Sequence, residues 1–241
     1  MKIISLTFIL ALTLVSGSAA PSGSDQIGWF EPVIKEIEGW KVSVDPKLLE
    51  GEHAKEGELA LKLLANHLQR IIILMPEKQL ADLRKIGIWI EHRHPELGNM
   101  QYHPSADWLA KKGYHPDLVK KVHIPVASQI FSRKNMLKQP AVILHELAHG
   151  YHDQILGFDH KDILEAFHAA KQRGDYEKVL HVNGGETKHY ALTDHKEYFA
   201  EATEALLYRN DFYPFVASEL ERHDPEFHKL LLEIWQTSAK P

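Results

Sequence analysis

The chain is 241 residues long, carries a formal net charge of −5 and contains no cysteine. Those numbers exclude a disulfide-stapled scaffold and argue against a nucleic-acid partner, which requires a basic face. Histidine is abundant, at 17 residues, and imidazole is a frequent ligand of zinc and other late transition metals.

The sequence opens with Met1-Lys2, an apolar run over 3–15, and the small residues Ser16, Gly17, Ser18, Ala19 and Ala20. A positive start, a short apolar core and a small-residue zone form the pattern of a secretory signal peptide. The run is too short for a membrane span, which needs about 20 residues. Residues 1–20 are therefore expected to be a signal peptide, removed near Ala19 or Ala20, and the mature chain to be secreted or periplasmic. An uncleaved N-terminal anchor is the alternative. Residues 21–241 fit a single domain, with no second apolar run of membrane length.

Residues 40–44 alternate and read as a strand ended by Asp45-Pro46. Leu61, Leu64, Leu68 and Ile72 recur at helical spacing, so 58–75 is predicted to be a helix stopped by Pro76. A short helix follows over 76–84, then a strand over 86–91. The stretch 95–135 is broken by Gly and Pro; within it strands are expected at 100–103 and 122–125 and a helix at 105–112. Residues 140–156 are predicted as one helix, with Pro140 in its first position and Gly157 just past its end. Another helix covers 160–173. Residues 179–182 and 187–191 flank Asn183-Gly184 as a hairpin. A helix over 194–208 starts from Asp194 as its N-cap, and two more cover 214–222 and 225–236. The fold class is α+β: mostly helical around a small mixed sheet, with no internal repeat or interdomain linker.

The helix over 140–156 contains His145-Glu146-x-x-His149. Residues four apart on a helix stand on one face, at a reach that suits two positions on a tetrahedral zinc. Glu146 is rotated roughly 100° from His145 and is placed to take a proton rather than to ligate. Leu144, Leu147, Ala148, Tyr151 and Ile155 form an apolar stripe beside the histidines, expected to face the core. Gly150, one turn beyond Glu146, is expected to leave space beside the catalytic water.

A catalytic zinc needs a third protein ligand and an open position. The extended motif with a third histidine on the same segment is absent, because His152 and Ile155 stand where it requires Gly and His. Glu197 and Glu201 share one face of the helix over 194–208, while Phe199, Ala202 and Leu206 lie on a face that can enter the core. Glu197 is the favoured ligand. Glu201 then accepts a hydrogen bond from a ligand histidine, as outer carboxylates at zinc sites do. A solvated acidic face is the bland alternative; His152, Asp153 and His195 are weaker competitors as ligands.

His145-Glu146-x-x-His149 together with the stretch from Tyr190 to Ala202 resembles the zinc peptidases of the anthrax lethal factor catalytic-domain type. The likeness runs from about 140 to 207 and leaves out the N-terminal half. It implies a zincin-like fold of the gluzincin kind, with one helix carrying the histidines and one the glutamate. It also implies one Zn2+ on His145, His149 and Glu197, with Glu201 behind them. Tyr190 is implied to steady the oxyanion or protonate the leaving amine. The expected activity is peptide-bond hydrolysis on a peptide or protein substrate, with Glu146 as general base. A zinc-binding module without turnover and a zinc amidase acting on a non-protein amide are the rival readings. Strands 86–91 or 100–103 are expected to offer an edge to an extended peptide, and His92, His94 and His103 are weighed as a second metal patch, with solvated surface histidines the favoured reading.

Overall fold

The computed structural model describes residues 27–237, so the expected signal peptide lies outside the described residues. The elements in chain order are β1 (Val33–Ile37), β2 (Trp40–Val44), α1 (Ala54–Leu74), α2 (Glu77–Leu83), β3 (Gly87–Ile90), β4 (Gln101–Tyr102), α3 (Ala106–Lys112), β5 (Lys121–Ile124), α4 (Arg133–Lys138) and α5 (Val142–Tyr151). They continue with α6 (Lys161–Arg173), β6 (Val179–Leu180), β7 (Glu186–Thr187), α7 (His195–Leu207), α8 (Ala217–His223) and α9 (Pro225–Trp235). The fold is α+β with a small mixed sheet, as expected.

The main sheet has the order β1-β2-β3-β5-β4. Its three inner strands run parallel, with Val42 opposite Ile88 and Ile88 opposite Val122; β1 and β4 are antiparallel to their neighbours. Side chains alternate across a strand. On β3 this sends Ile88 and Ile90 into the main core and Trp89 into a smaller cluster with Leu109, Tyr114 and Leu118. On α1, Ala60, Leu64, Leu68 and Ile71 form a buried stripe at the 3.6-residue period. The active-motif helix α5 is central: it packs against α7, α1, α2 and the β4 and β5 strands.

Several expectations need correction. The strand expected over 86–91 is β3, in the middle of the sheet, so it has no free edge; β4 is an edge strand, as is β1. Pro140 precedes the helix rather than opening it, since Ala141 is the N-cap of α5. The helix expected over 140–156 is two pieces, α5 and a π-helical turn His152–Leu156, ended by Gly157 at φ 84°. In that turn Ile155 is 39% exposed and leaves the core stripe. The hairpin around Asn183-Gly184 is present as β6 and β7, but Tyr190 is not on it; it opens a 3-10 turn, Tyr190–Leu192, that leads into α7. Among the described residues no helix is long and apolar enough to cross a membrane.

Candidate metal centre

Helix α5 is held as a floor by its buried residues Ile143, Leu144, Leu147 and Ala148, which leaves His145, Glu146 and His149 facing a cleft of about 610 Å3. Helix α7 crosses beside it. Its first turn is fixed by Asp194, whose Oδ1 accepts hydrogen bonds from the backbone N–H of Lys196 and of Glu197. Phe199, Ala202 and Leu206 are buried, as their spacing required, and the opposite face turns towards α5.

The two helices bring three donor atoms together. His145 Nε2 lies 3.1 Å from His149 Nε2, and Glu197 Oε2 lies 3.2 Å from each of them. The imidazole rings stand edge to face at 82°, with their two Nε2 atoms adjacent. Donors on a tetrahedral zinc, bonded at about 2.0–2.1 Å, sit about 3.3 Å apart. The triangle has that size and that donor set.

Three lone-pair atoms this close repel unless a proton or a cation lies between them. The titration behaviour says the same. Burial opposes ionisation of Glu197, yet hydrogen bonds from His145 and His149 outweigh it and hold the carboxyl well below its ordinary range. Burial likewise opposes protonation of His145, but Glu197 and Glu204 together push it well above the ordinary imidazole value. Both shifts arise because opposite charges are packed at this point.

No family model, no curated protein and no solved structure matches the chain.

Glu146 is buried at the cleft wall, one residue from His145, and lines the cleft together with Tyr102 of β4. Burial pushes its carboxyl up, and the two histidines pull part of that shift back. A carboxyl raised in this way accepts a proton more readily than an ordinary glutamate. Tyr190 is 48% exposed and lines the same cleft as Glu197, His145 and Glu146. Burial raises its phenol, with the Glu197 charge adding to the effect, so it stays a hydrogen-bond donor. All five residues expected to do chemistry therefore share one cavity.

Glu201 departs from its expected place. Its Oε1 is 3.8 Å from His145 Nδ1, beyond hydrogen-bond range, while Glu204 Oε1 lies 2.6 Å from that nitrogen. Glu204 continues the helix face of Glu197 and Glu201 as the i+7 residue, a spacing visible in the sequence. Gly150 also faces elsewhere: a Cβ there would meet Ile86 and Tyr102, not the cleft.

The other histidine groups do not make a comparable centre. His92, His94 and His103 do not meet as one patch, nor are they solvated surface histidines, since His94 and His103 are buried. His92 stacks on His53 at 3.7 Å and 19°, beside Glu56. These three donors also lie within 4.8 Å of one another, but all three residues are partly exposed and the group lies outside the cleft. His94 caps a turn by accepting from the backbone N–H of Glu96 and Leu97. His103 bonds His123, which bonds Glu91 in the interior. His152 is fully buried against Phe158, His195 and Phe199, and His195 Nε2 hydrogen-bonds the Phe158 carbonyl. Among the described residues, neither joins a group of converging donor atoms.

Proposed function

We propose that the chain is a secreted zinc-dependent peptidase with a zincin-like arrangement of the lethal-factor type. The observation that carries this reading is the triangle of His145 Nε2, His149 Nε2 and Glu197 Oε2, with sides of 3.1–3.2 Å, open to a cleft. His145, His149 and Glu197 would hold one Zn2+. That ion supplies Lewis acidity, lowering a water pKa towards about 7 and polarising a carbonyl oxygen.

The residues around it divide the remaining work. Glu146 removes a proton from water in the cleft and returns it to the leaving nitrogen. The Tyr190 hydroxyl donates a hydrogen bond to the oxygen that becomes negative when the carbonyl carbon is attacked. Strand β4 ends the sheet and lines the cleft together with Asn99 and Met100 before it, so its free edge can pair with an extended peptide by strand addition. Residues 1–20 would direct export and then be removed.

The test combines metal content with turnover. The purified mature chain is expected to hold one zinc ion and to cut casein. The Glu146→Gln variant should keep the zinc and lose at least about 100-fold in rate, the usual worth of a positioned acid–base group. Undiminished hydrolysis in that variant would remove Glu146 from the mechanism. Cleavage of peptidoglycan fragments but not casein would favour the amidase, and stoichiometric zinc with no turnover on either would favour the binding module.

A further inference from the structure

We infer that Glu204 is the positioning residue of this centre: its carboxylate fixes the tautomer and tilt of His145, so that Nε2 is aimed at His149 and Glu197. The role rests on the metal-centre reading above and assigns a carboxylate to it that the lethal-factor likeness places at Glu201.

An imidazole presents two different nitrogens, and the one engaged as an N–H donor leaves the other with its lone pair free. His145 Nδ1 stands 2.6 Å from Glu204 Oε1, a short contact of the charge-assisted kind. That contact leaves Nε2 as the free donor atom, and Nε2 is the atom in the triangle. Glu201 stands farther from the ring and makes no hydrogen bond to it. It is 3.8 Å from Nδ1 on one side and 3.8 Å from His189 Nδ1 on the other. The His189 nitrogen already accepts a hydrogen bond from the Ala191 backbone, so it has no proton to give Glu201.

The energetics of Glu204 point the same way. The residue is 3% exposed and its second oxygen, Oε2, has no hydrogen-bond partner. Among the described residues its one ion-pair partner is His145. A carboxylate buried on those terms costs stability, and an apolar side chain would pack there at less expense. What the position gains is a fixed ring. Helix geometry explains why this residue can serve: Glu197, Glu201 and Glu204 follow the i, i+4, i+7 spacing down one face of α7, and α7 packs along α5.

The experiment measures zinc affinity by chelator competition on the full chain, for wild type and for E204A, E204Q and E201Q. Nitrogen NMR of the His145 ring is recorded on the same proteins. E204A is expected to lose 10- to 100-fold in affinity, the usual effect of removing such a partner. E204Q, which keeps an acceptor oxygen, should lose less, and E201Q should stay within about threefold. The Nδ1–H signal of His145 should persist in wild type and E201Q and vanish in E204A. If E204A does not fold, E204Q and the ring signal carry the test. Unchanged affinity and ring signal in the Glu204 variants, or an equal loss in E201Q, would overturn the assignment. A wild-type chain that binds no zinc at all would instead overturn the metal centre itself.

Discussion

A methyl group added at Gly150 would lie 2.9 Å from two carbons of Ile86 and 3.3 Å from the Tyr102 ring. Alanine is worth about 1 kcal/mol more than glycine inside a helix, but overpacking a filled interior costs about 1–3 kcal/mol. Gly150→Ala is therefore expected to lower the urea midpoint despite its better propensity; a raised midpoint would mean that β3 and β4 yield to the methyl. The case shows what single residues disclose. His145, Glu146 and His149 were legible because their spacing alone sets their common face, and Glu197 because it opens a capped helix with a separate apolar face. The surroundings of Gly150 and the choice between Glu201 and Glu204 were not legible. Both depend on what the neighbouring element places opposite, and helical periodicity gives the direction of a side chain without naming its partner.

The elements tell a similar story one level up. Helices α1, α3, α6, α7 and α9 were readable because each carries a buried stripe or a capping residue in sequence. Strand β1 was missed because it is an edge strand exposed along most of its length, with Ile34 60% exposed, so no apolar alternation marks it. Helix α4 was missed because none of its residues is buried and it has no face to show. The π turn after α5 was read as plain helix, since its residues are helix-compatible; its Asp153 is tied to the Tyr102 hydroxyl and Lys120 across the sheet edge. The element that matters most to the centre is the first turn of α7. Asp194 holds two backbone N–H groups there, one of them that of Glu197. Asp194→Ala should cost about 1 kcal/mol of stability, as lost N-caps do. It should also weaken zinc binding by loosening the turn that aims Glu197. Chemical denaturation with chelator competition checks both, and a variant with intact zinc affinity would separate the cap from the centre.

At the scale of the whole molecule, the fold class followed from composition and periodicity, but the response to acid does not, because it is a difference between buried groups of opposite sign. Burial depresses His67 to about 4 and His123, His103 and His189 to about 3. Between those values and 6.5 the unfolded chain binds more protons than the folded one. The stability these histidines provide is present above pH 6.5 and is lost as pH falls towards their folded values. Burial raises Glu91 to about 7, and there the sign reverses: the folded chain holds the extra proton between 4.5 and 7, so its contribution is present below 4.5 and lost as pH rises through 7. The carboxyls of Glu201 and Glu204 are raised as well and act with Glu91. The net slope is thus a poor test, whereas single replacements isolate each term. His67→Leu should gain about 2 kcal/mol on wild type when metal-free protein is moved from pH 7 to pH 5, because the variant no longer has an imidazole to protonate on unfolding. Glu91→Gln should lose about 2 kcal/mol on wild type over the same interval. Urea midpoints at the two pH values read both differences, and two shifts of the same sign would show that burial does not control the titration of this interior.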